Sequence, residues 1–210
     1  MTRHGLYLIT PELEGAALLA RVRAALEGAG PGCLLQYRAK TSDAPQRAHD
    51  ARALAALCRA NGATYIVNDD LELALAVEAD GLHLGRDDGE PAAARARLGA
   101  KLLGVSCYDS LERARAAVAA GADYVAFGSV FPSSTKPGAV RAPLTLFAQA
   151  RTLGVPLVAI GGITLENAPQ LLAAGADCVA VISDLFDARD VAARARAFAR
   201  LFHSDPVAMP

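Results

Sequence analysis

The sequence predicts an α/β protein, a single (β/α)8 TIM barrel, from three observations. Short apolar runs rich in β-branched residues alternate with longer Ala-, Leu- and Arg-rich stretches of helical period, eight of each. The apolar runs are continuous, which is typical of parallel strands buried on both faces. The chain has 210 residues, or roughly 26 for each strand–helix unit, which suits a small barrel of this class. An open, doubly wound sheet is the competing architecture.

The predicted strands follow one another at intervals that leave room for a helix between them. They are residues 5–10, 33–38, 64–68, 81–84, 102–106, 124–128, 156–160 and 178–182. The predicted helices are residues 12–27, 44–60, a segment ending near 78, a short segment after Pro91, then 110–120, 144–152, 165–173 and a last one ending near 202.

Glycine marks the ends of several predicted helices. The sequence Ala-Ala-Gly-Ala-Asp at 119–123 recurs at 173–177, and Asn61-Gly62 begins a weaker copy. Glycine readily takes the left-handed conformation that closes a helix, so each copy predicts a helix end followed by a strand. No linker or change in composition divides the chain. Residues 1–210 are therefore expected to form one domain, with a disordered tail at 203–210.

Composition excludes several classes of function. Lys and Arg number 21 against 22 Asp and Glu, which leaves no broad basic field for nucleic acid or an anionic membrane. No apolar run reaches the roughly 18 residues of a membrane span, and the first ten residues do not resemble a signal peptide. Cys33, Cys58, Cys107 and Cys178 form no CxxC pair. We expect them to be buried and reduced, which indicates a cytoplasmic protein.

Polar side chains gather where the predicted strands end, which is where a barrel of this type carries its chemistry. At the end of the second strand, Gln36, Arg38 and Lys40 fall on one face of an extended segment. A planar guanidinium and a mobile ammonium together are suited to binding a diphosphate. The alternative is that Arg38 and Lys40 are ordinary surface charges. His83, alone on an apolar strand, is expected to be a hydrogen-bonded core residue.

Two carboxylates at neighbouring strand ends predict a metal site. Asp69 and Asp88 end the third and fourth strands, so their side chains can approach each other. Mg²⁺ commonly takes one or two carboxylates together with waters and substrate phosphate oxygens. Asp70 and Asp87 lie next to these two residues in the sequence. For them the alternative to a metal-binding role is a solvated side chain or a helix N-cap.

The loops after the last three strands predict a second phosphate site. Ser133, Thr135 and Lys136 lie in the longest loop. The alternative to phosphate binding is that this is an ordinary polar surface loop. Gly161-Gly162 and Ile182-Ser183 follow the seventh and eighth strands, where these barrels bind phosphate through backbone N–H groups. No nucleophile elbow, P-loop or zinc spacing occurs. Two phosphate sites, one with Mg²⁺, suggest the joining of two phosphorylated small molecules with release of diphosphate.

With these motifs the sequence resembles the thiamine-phosphate synthase (thiamine-phosphate pyrophosphorylase) family from about Gly5 to Leu201. Seven motifs carry the resemblance in order. They are QYRAK at 36–40, VND at 67–69, GLHLGRDD at 81–88, GVS at 104–106, GADYVAFGSVFPSSTK at 121–136, VAIGGI at 158–163 and GADCVAVIS at 175–183. Each motif is modest alone, and the ordered set is specific.

The resemblance implies a reaction and a role for individual residues. 4-Amino-2-methyl-5-pyrimidinylmethyl diphosphate would condense with 4-methyl-5-(2-phosphoethyl)thiazole to give thiamine phosphate and diphosphate, by Mg²⁺-dependent dissociative displacement at the pyrimidine methylene. The pyrimidine diphosphate would be bound by Gln36, Arg38, Lys40, Asn68, Ser106 and Lys136, of which Arg38, Lys40, Ser106 and Lys136 would act in catalysis. The thiazole phosphate would be bound by Ser133, Thr135, Gly162, Ile182 and Ser183. Asp69 and Asp88 would ligate Mg²⁺.

Three departures from the family pattern leave these assignments in place. Ser129 stands where proline is common, Ser133 where threonine is common, and Asp70 where a basic residue is frequent. The rival interpretations are a thiazole tautomerase of the sister family, which would not need to grip a diphosphate, and a non-catalytic phosphate-binding barrel. The expected partners are small phosphorylated molecules. The sequence leaves open whether the protein forms a homo-oligomer.

Overall fold

In a computed structural model that describes residues 4–132 and 140–202, eight parallel strands close into a barrel. The strands are β1 (Gly5–Ile9), β2 (Leu34–Tyr37), β3 (Thr64–Asn68), β4 (Gly81–Leu84), β5 (Leu102–Tyr108), β6 (Tyr124–Phe127), β7 (Leu157–Ile160) and β8 (Cys178–Val181). Each strand pairs with the next, and β1 also pairs with β8, with Gly5 opposite Cys178. The predicted (β/α)8 barrel is confirmed, and the open sheet is excluded. The tail at 203–210 lies outside the described residues.

Helices cover the outside of the barrel. Within the two described ranges they are α1 (Gly15–Ala29), α2 (Ala44–Asn61), α3 (Leu71–Ala76), α4 (Pro91–Leu98), α5 (Leu111–Ala119), α6 (Thr145–Ala150), α7 (Ala168–Ala174), α8 (Ser183–Phe186) and α9 (Val191–Arg200). None of these helices is long and apolar enough to cross a membrane. They alternate with the strands as predicted, except that two helices follow β8.

Several element boundaries differ from the prediction for local reasons. The last predicted helix is divided because Asp190 caps α9, its carboxylate accepting a hydrogen bond from the Ala193 backbone N–H at 2.9 Å. The seventh helix begins at Ala168 because a turn precedes it, in which Asn167 Oδ1 accepts from the Thr164 N–H at 2.8 Å. Strand β5 runs two residues further than predicted, with an irregular register between Ser106 and Tyr108.

The helix ends predicted from glycine are confirmed. Gly62, Gly121 and Gly175 have φ values of 65°, 94° and 106°, and each ends a helix just before a strand begins. The N–H of Gly62 donates back to Arg59 and Cys58 carbonyl groups, so the turn satisfies orphan acceptors of α2.

The apolar core has two layers. The larger lies between the barrel and its helices, and the smaller fills the barrel interior. The interior residues are Tyr7, Ile9, Leu34, Ile66, Tyr124, Ala126, Val158, Cys178 and Ala180. All four cysteines are buried and unpaired, as predicted. A packed interior leaves ligand binding to the open carboxyl end of the barrel.

Candidate active site

One cavity of about 910 Å³ opens where the strands end. Apolar side chains of Ile9, Ala126, Val158 and Ile160 contribute to its lining. The predicted site residues that line it are Gln36, Arg38, Lys40, Asn68, Asp69, Asp88, Ser106, Gly162, Ile182 and Ser183. Ser133, Thr135 and Lys136 lie outside the described residues. Every predicted site residue that the structure describes therefore belongs to a single cavity.

The end of β2 forms a cationic side of this cavity. Gln36 is buried in the strand, Arg38 is half-buried and Lys40 is exposed, as expected for a strand that leaves the core at its carboxyl end. Arg38 also bonds through its backbone to the residue that directly follows β1, because its N–H donates to Thr10 Oγ1 at 2.9 Å. The strand end is thereby fixed, while the Lys40 ammonium extends toward Asp69, 3.2 Å away.

Glu12 is a site residue that sequence reasoning missed. Its carboxylate forms an ion pair with the Arg38 guanidinium and accepts a hydrogen bond from the Lys40 backbone N–H at 3.1 Å. The Thr41 hydroxyl lies 3.3 Å from the same carboxylate. Glu12 therefore orients the guanidinium and the segment that carries the ammonium. Its place in the loop directly after β1, at the same end of the barrel, was the available signal.

Asp69 and Asp88 lie side by side. Burial, and then the neighbouring Asp69 carboxyl, raise the pKa of Asp88 above its usual value. Asp69 has a φ of 63°, a left-handed conformation that few residues other than glycine adopt, and its N–H donates to the His83 carbonyl at 2.8 Å. A bond to β4 thus supports the turn that aims Asp69 at its partner. Two adjacent carboxylates with one ammonium retain a net negative charge, which fits a hard divalent cation.

Glycine makes room for Asp88. The Asp88 carboxylate accepts a hydrogen bond from the Gly85 N–H at 3.0 Å, and a Cβ on Gly85 would collide with that same carboxylate. Among the described residues, no group of three His, Cys, Asp or Glu side chains is arranged to hold a metal. A cation at this pair would take its remaining ligands from water or substrate, as Mg²⁺ commonly does.

The two neighbouring aspartates differ in role. Asp70 is the N-cap of α3, accepting from the Leu73 N–H at 2.9 Å, and it lies 3.5 Å from the Arg47 guanidinium. Of the alternatives left open for Asp70, the structure shows the helix N-cap. Asp87 is exposed at the cavity rim, in agreement with a solvated side chain.

The ends of β7 and β8 form the opposite, backbone-lined side of the cavity. Gly161 and Gly162 have φ values of 101° and 64°. A Cβ on Gly162 would collide with the backbone of Pro132, so only glycine fits this turn. Ser183 follows as the first residue of α8. Exposed backbone N–H groups at such positions can bind a phosphate.

An arginine behind this backbone-lined side was also missed. Arg194, on α9, lines the cavity and is held by Asp184, with nitrogen–oxygen distances of 2.7 and 2.9 Å. Glu166 adds a contact at 3.2 Å. These carboxylates raise the pKa of Arg194 further, so its charge is fixed. No sequence motif marked Arg194, because it comes from the middle of an ordinary amphipathic helix.

Polar side chains also occupy the barrel interior, and two of them, Tyr7 and His83, help to line the cavity. His83 is buried, and both of its ring nitrogens have partners: Tyr124 Oη at 3.1 Å and Ser106 Oγ at 2.9 Å. Tyr7 Oη lies 2.7 Å from Tyr124 Oη and accepts from Gln36 Nε2 at 2.8 Å. His83 is therefore a hydrogen-bonded core residue, as predicted, and it connects to Ser106 at the cavity wall.

Comparisons with known proteins identify the family to which this chain belongs. The profile of the family described as thiamine monophosphate synthase matches residues 6–185. A thiamine-phosphate synthase of Aromatoleum aromaticum is 60% identical over 94% of this chain and 96% of that protein. One of an Azoarcus species is 61% identical over 94% and 97%. The solved structure of a thiamine phosphate pyrophosphorylase from Pyrococcus furiosus is 34% identical, with a TM-score of 0.86 and 96% of each chain covered.

Proposed function

The chain belongs to the thiamine monophosphate synthase family, and from this premise we propose that it is a transferase that makes thiamine phosphate. It condenses 4-amino-2-methyl-5-pyrimidinylmethyl diphosphate with 4-methyl-5-(2-phosphoethyl)thiazole and releases diphosphate. One observation carries the proposal: a single cavity has a cationic and carboxylate side at one end and a glycine-rich, backbone-lined side at the other. Such a cavity can hold two phosphorylated molecules with their reacting atoms between the two phosphate sites.

The cationic side would hold the diphosphate of the pyrimidine substrate. Arg38 offers a planar fork of N–H donors, fixed by Glu12, and Lys40 adds a mobile ammonium. Asn68 lines the same side, and Lys136, outside the described residues, is carried over from the family resemblance. Asp69 and Asp88 would hold Mg²⁺, which when bound supplies a positive charge to the departing diphosphate.

The backbone-lined side would hold the thiazole phosphate. Gly162, Ile182 and Ser183 would bind it through backbone groups, and the fixed charge of Arg194 lies behind them. Ser133 and Thr135, outside the described residues, are proposed to contribute hydroxyl groups. Apolar residues between the two sides, such as Ile160 and Val158, would pack against the rings and exclude water.

The reaction breaks one bond and forms another at the pyrimidine methylene carbon. The carbon–oxygen bond to the diphosphate breaks with its electron pair leaving on oxygen, and the thiazole nitrogen then bonds to that carbon. Arg38 and Lys40 stabilise the negative charge that develops on the leaving diphosphate, and this electrostatic stabilisation is the main catalytic contribution. Ser106 lies beside the pyrimidine in this proposal.

The two rival functions have less support. A thiazole tautomerase would not use Arg38, Lys40 and the aspartate pair, yet all four line the same cavity as the backbone-lined side. A non-catalytic barrel would have no reason to keep a carboxylate pair beside an ammonium. The relatives that are 60% and 61% identical are named synthases.

We place this enzyme in the cytoplasm, acting as a single-domain barrel on small phosphorylated molecules. Four buried, unpaired cysteines suit a reducing compartment.

An assay with both substrates, in Mg²⁺ or in chelator, tests the proposal. Thiamine phosphate is measured as its fluorescent oxidation product, and each substrate is withheld in turn as a control. We expect product only with both substrates and Mg²⁺. Binding of the thiazole phosphate without any product would favour the tautomerase or the non-catalytic barrel.

A further inference from the structure

Five side chains form a continuous hydrogen-bonded chain through the barrel interior. In order they are Gln36, Tyr7, Tyr124, His83 and Ser106, with consecutive heavy-atom distances of 2.8, 2.7, 3.1 and 2.9 Å. Four of the five, Gln36, Tyr7, His83 and Ser106, line the active-site cavity, while Tyr124 is fully buried. The chain therefore connects Gln36 and Ser106 on the cavity wall through side chains that are almost entirely buried.

Every interior member has a defined protonation state at neutral pH. Burial raises the pKa of Tyr7 and of Tyr124 well above the usual tyrosine value, so each keeps one hydroxyl proton. The His83 ring is buried and both of its nitrogens bond to hydroxyl groups rather than to a carboxylate, so the ring is neutral and has one N–H. Three protons must therefore be shared among the hydrogen bonds that follow Gln36.

Counting donors gives the direction of the whole chain. Gln36 donates to Tyr7 from its amide nitrogen, so Tyr7 donates to Tyr124 and Tyr124 donates to His83 Nδ1. The ring proton is then on Nε2 and is donated to Ser106 Oγ. The opposite tautomer with the same amide orientation would leave one of the two buried hydroxyl protons without an acceptor in the chain, which is costly.

We propose that Tyr7, Tyr124 and His83 are positioning residues that fix which atoms of Gln36 and Ser106 face the ligand as acceptor and donor. With its nitrogen bonded to Tyr7, Gln36 offers its carbonyl oxygen as the acceptor. Ser106 accepts from His83, so its own hydroxyl proton is available as the donor. The wall thus selects a nitrogen heterocycle that presents one N–H and one bare ring nitrogen, as an aminopyrimidine does; this identification of the ligand rests on the proposed function.

Gln36→Glu tests the coupling without any substrate. An ionised carboxylate has only acceptors, so Tyr7 must donate to it, and every later bond in the chain must reverse. The His83 proton should then move from Nε2 to Nδ1, three hydrogen bonds away from the substitution. The measurement is ¹⁵N NMR of the histidine rings from pH 7 to 9, with His83 assigned by the loss of its signals in His83→Gln. The ¹³C shift of the introduced carboxyl shows whether it is ionised.

The control is the double variant Gln36→Glu/Tyr7→Phe, in which the chain is interrupted. We expect wild-type His83 to carry its proton on Nε2, the single variant to carry it on Nδ1, and the double variant to keep it on Nε2. An ionised carboxyl with an unchanged tautomer, or the same change in both variants, would overturn the proposal. If the carboxyl stays protonated or the variant does not fold, the test is the tautomer of His83 in the wild-type protein. A proton on Nδ1 there would overturn the proposal. Because no substrate is present, this failure is distinct from failure of the proposed function.

Discussion

Replacing Asp88 with asparagine should raise the Mg²⁺ concentration needed for half-maximal activity by roughly 30-fold or more. The Asp88 carboxyl lies beside that of Asp69 and accepts a hydrogen bond from the Gly85 N–H at 3.0 Å. Asparagine has nearly the same volume and keeps an oxygen for that N–H. The substitution therefore removes one negative charge and leaves the turn intact.

The magnitude follows from the position of Asp88 at the open end of the barrel. Two unit charges about 4 Å apart attract by about 1 kcal/mol in water, and a divalent cation doubles this value. The aqueous figure is a lower limit, because Asp88 is half-buried and an effective dielectric constant below that of water would increase the attraction. A loss of about 2 kcal/mol corresponds to roughly a 30-fold weaker affinity.

The assay measures initial rates against Mg²⁺ at constant ionic strength. Asp87→Asn is the matched control, since it removes the same charge from an exposed neighbour at the same rim. We expect less than about a threefold shift for this control, because exposed charges are screened. Part of the Asp88→Asn activity should return at high Mg²⁺. An unchanged Mg²⁺ dependence, or equal shifts in the two variants, would refute the metal assignment.

Three further outcomes are expected. Arg38→Ala should raise the KM for the pyrimidine diphosphate by roughly 10- to 100-fold through loss of charge-assisted hydrogen bonds, and equal increases for both substrates would mean that the two sites are misplaced. Gly162→Ala should raise the KM for the thiazole phosphate and cost about 1–3 kcal/mol of stability, because φ is 64° and the new Cβ meets Pro132; an unchanged melting temperature would contradict this reasoning. Burial lowers the pKa of His83 to about 4 in the folded protein. The unfolded chain therefore binds a proton on this ring at a higher pH than the folded chain does, and stability should fall as pH drops from 6.5 toward 4. Thermal melts of wild type and His83→Gln measure that fall, which should be smaller in the variant.

The barrel could be predicted from the sequence because its signals are local. Continuous apolar runs identify buried strands, and glycines such as Gly62 and Gly175 end helices whatever lies beyond them. Strand ends in turn located Gln36, Arg38 and Asp69, since parallel strands place their carboxyl ends at one edge. Boundaries were less accurate where side chains redirect the backbone, as at Asp190.

The rest of the site depends on contacts between residues far apart in the chain. Tyr7 and Tyr124 are 117 positions apart, and nothing in either strand indicates that their hydroxyl groups meet. The pairing of Glu12 with Arg38 likewise depends on the loop conformation after β1. Polar hydroxyls within otherwise apolar strands were the available clue, since a buried hydroxyl needs a partner.

In the mechanism that we propose, one cavity holds two phosphorylated molecules at opposite ends. The decisive measurement is titration calorimetry of thiazole phosphate into the protein, alone and then saturated with Mg²⁺ and inorganic diphosphate. We expect one thiazole phosphate bound per chain in both cases, with an affinity that diphosphate does not reduce. Competition between diphosphate and thiazole phosphate for one site would show that the cavity does not hold both.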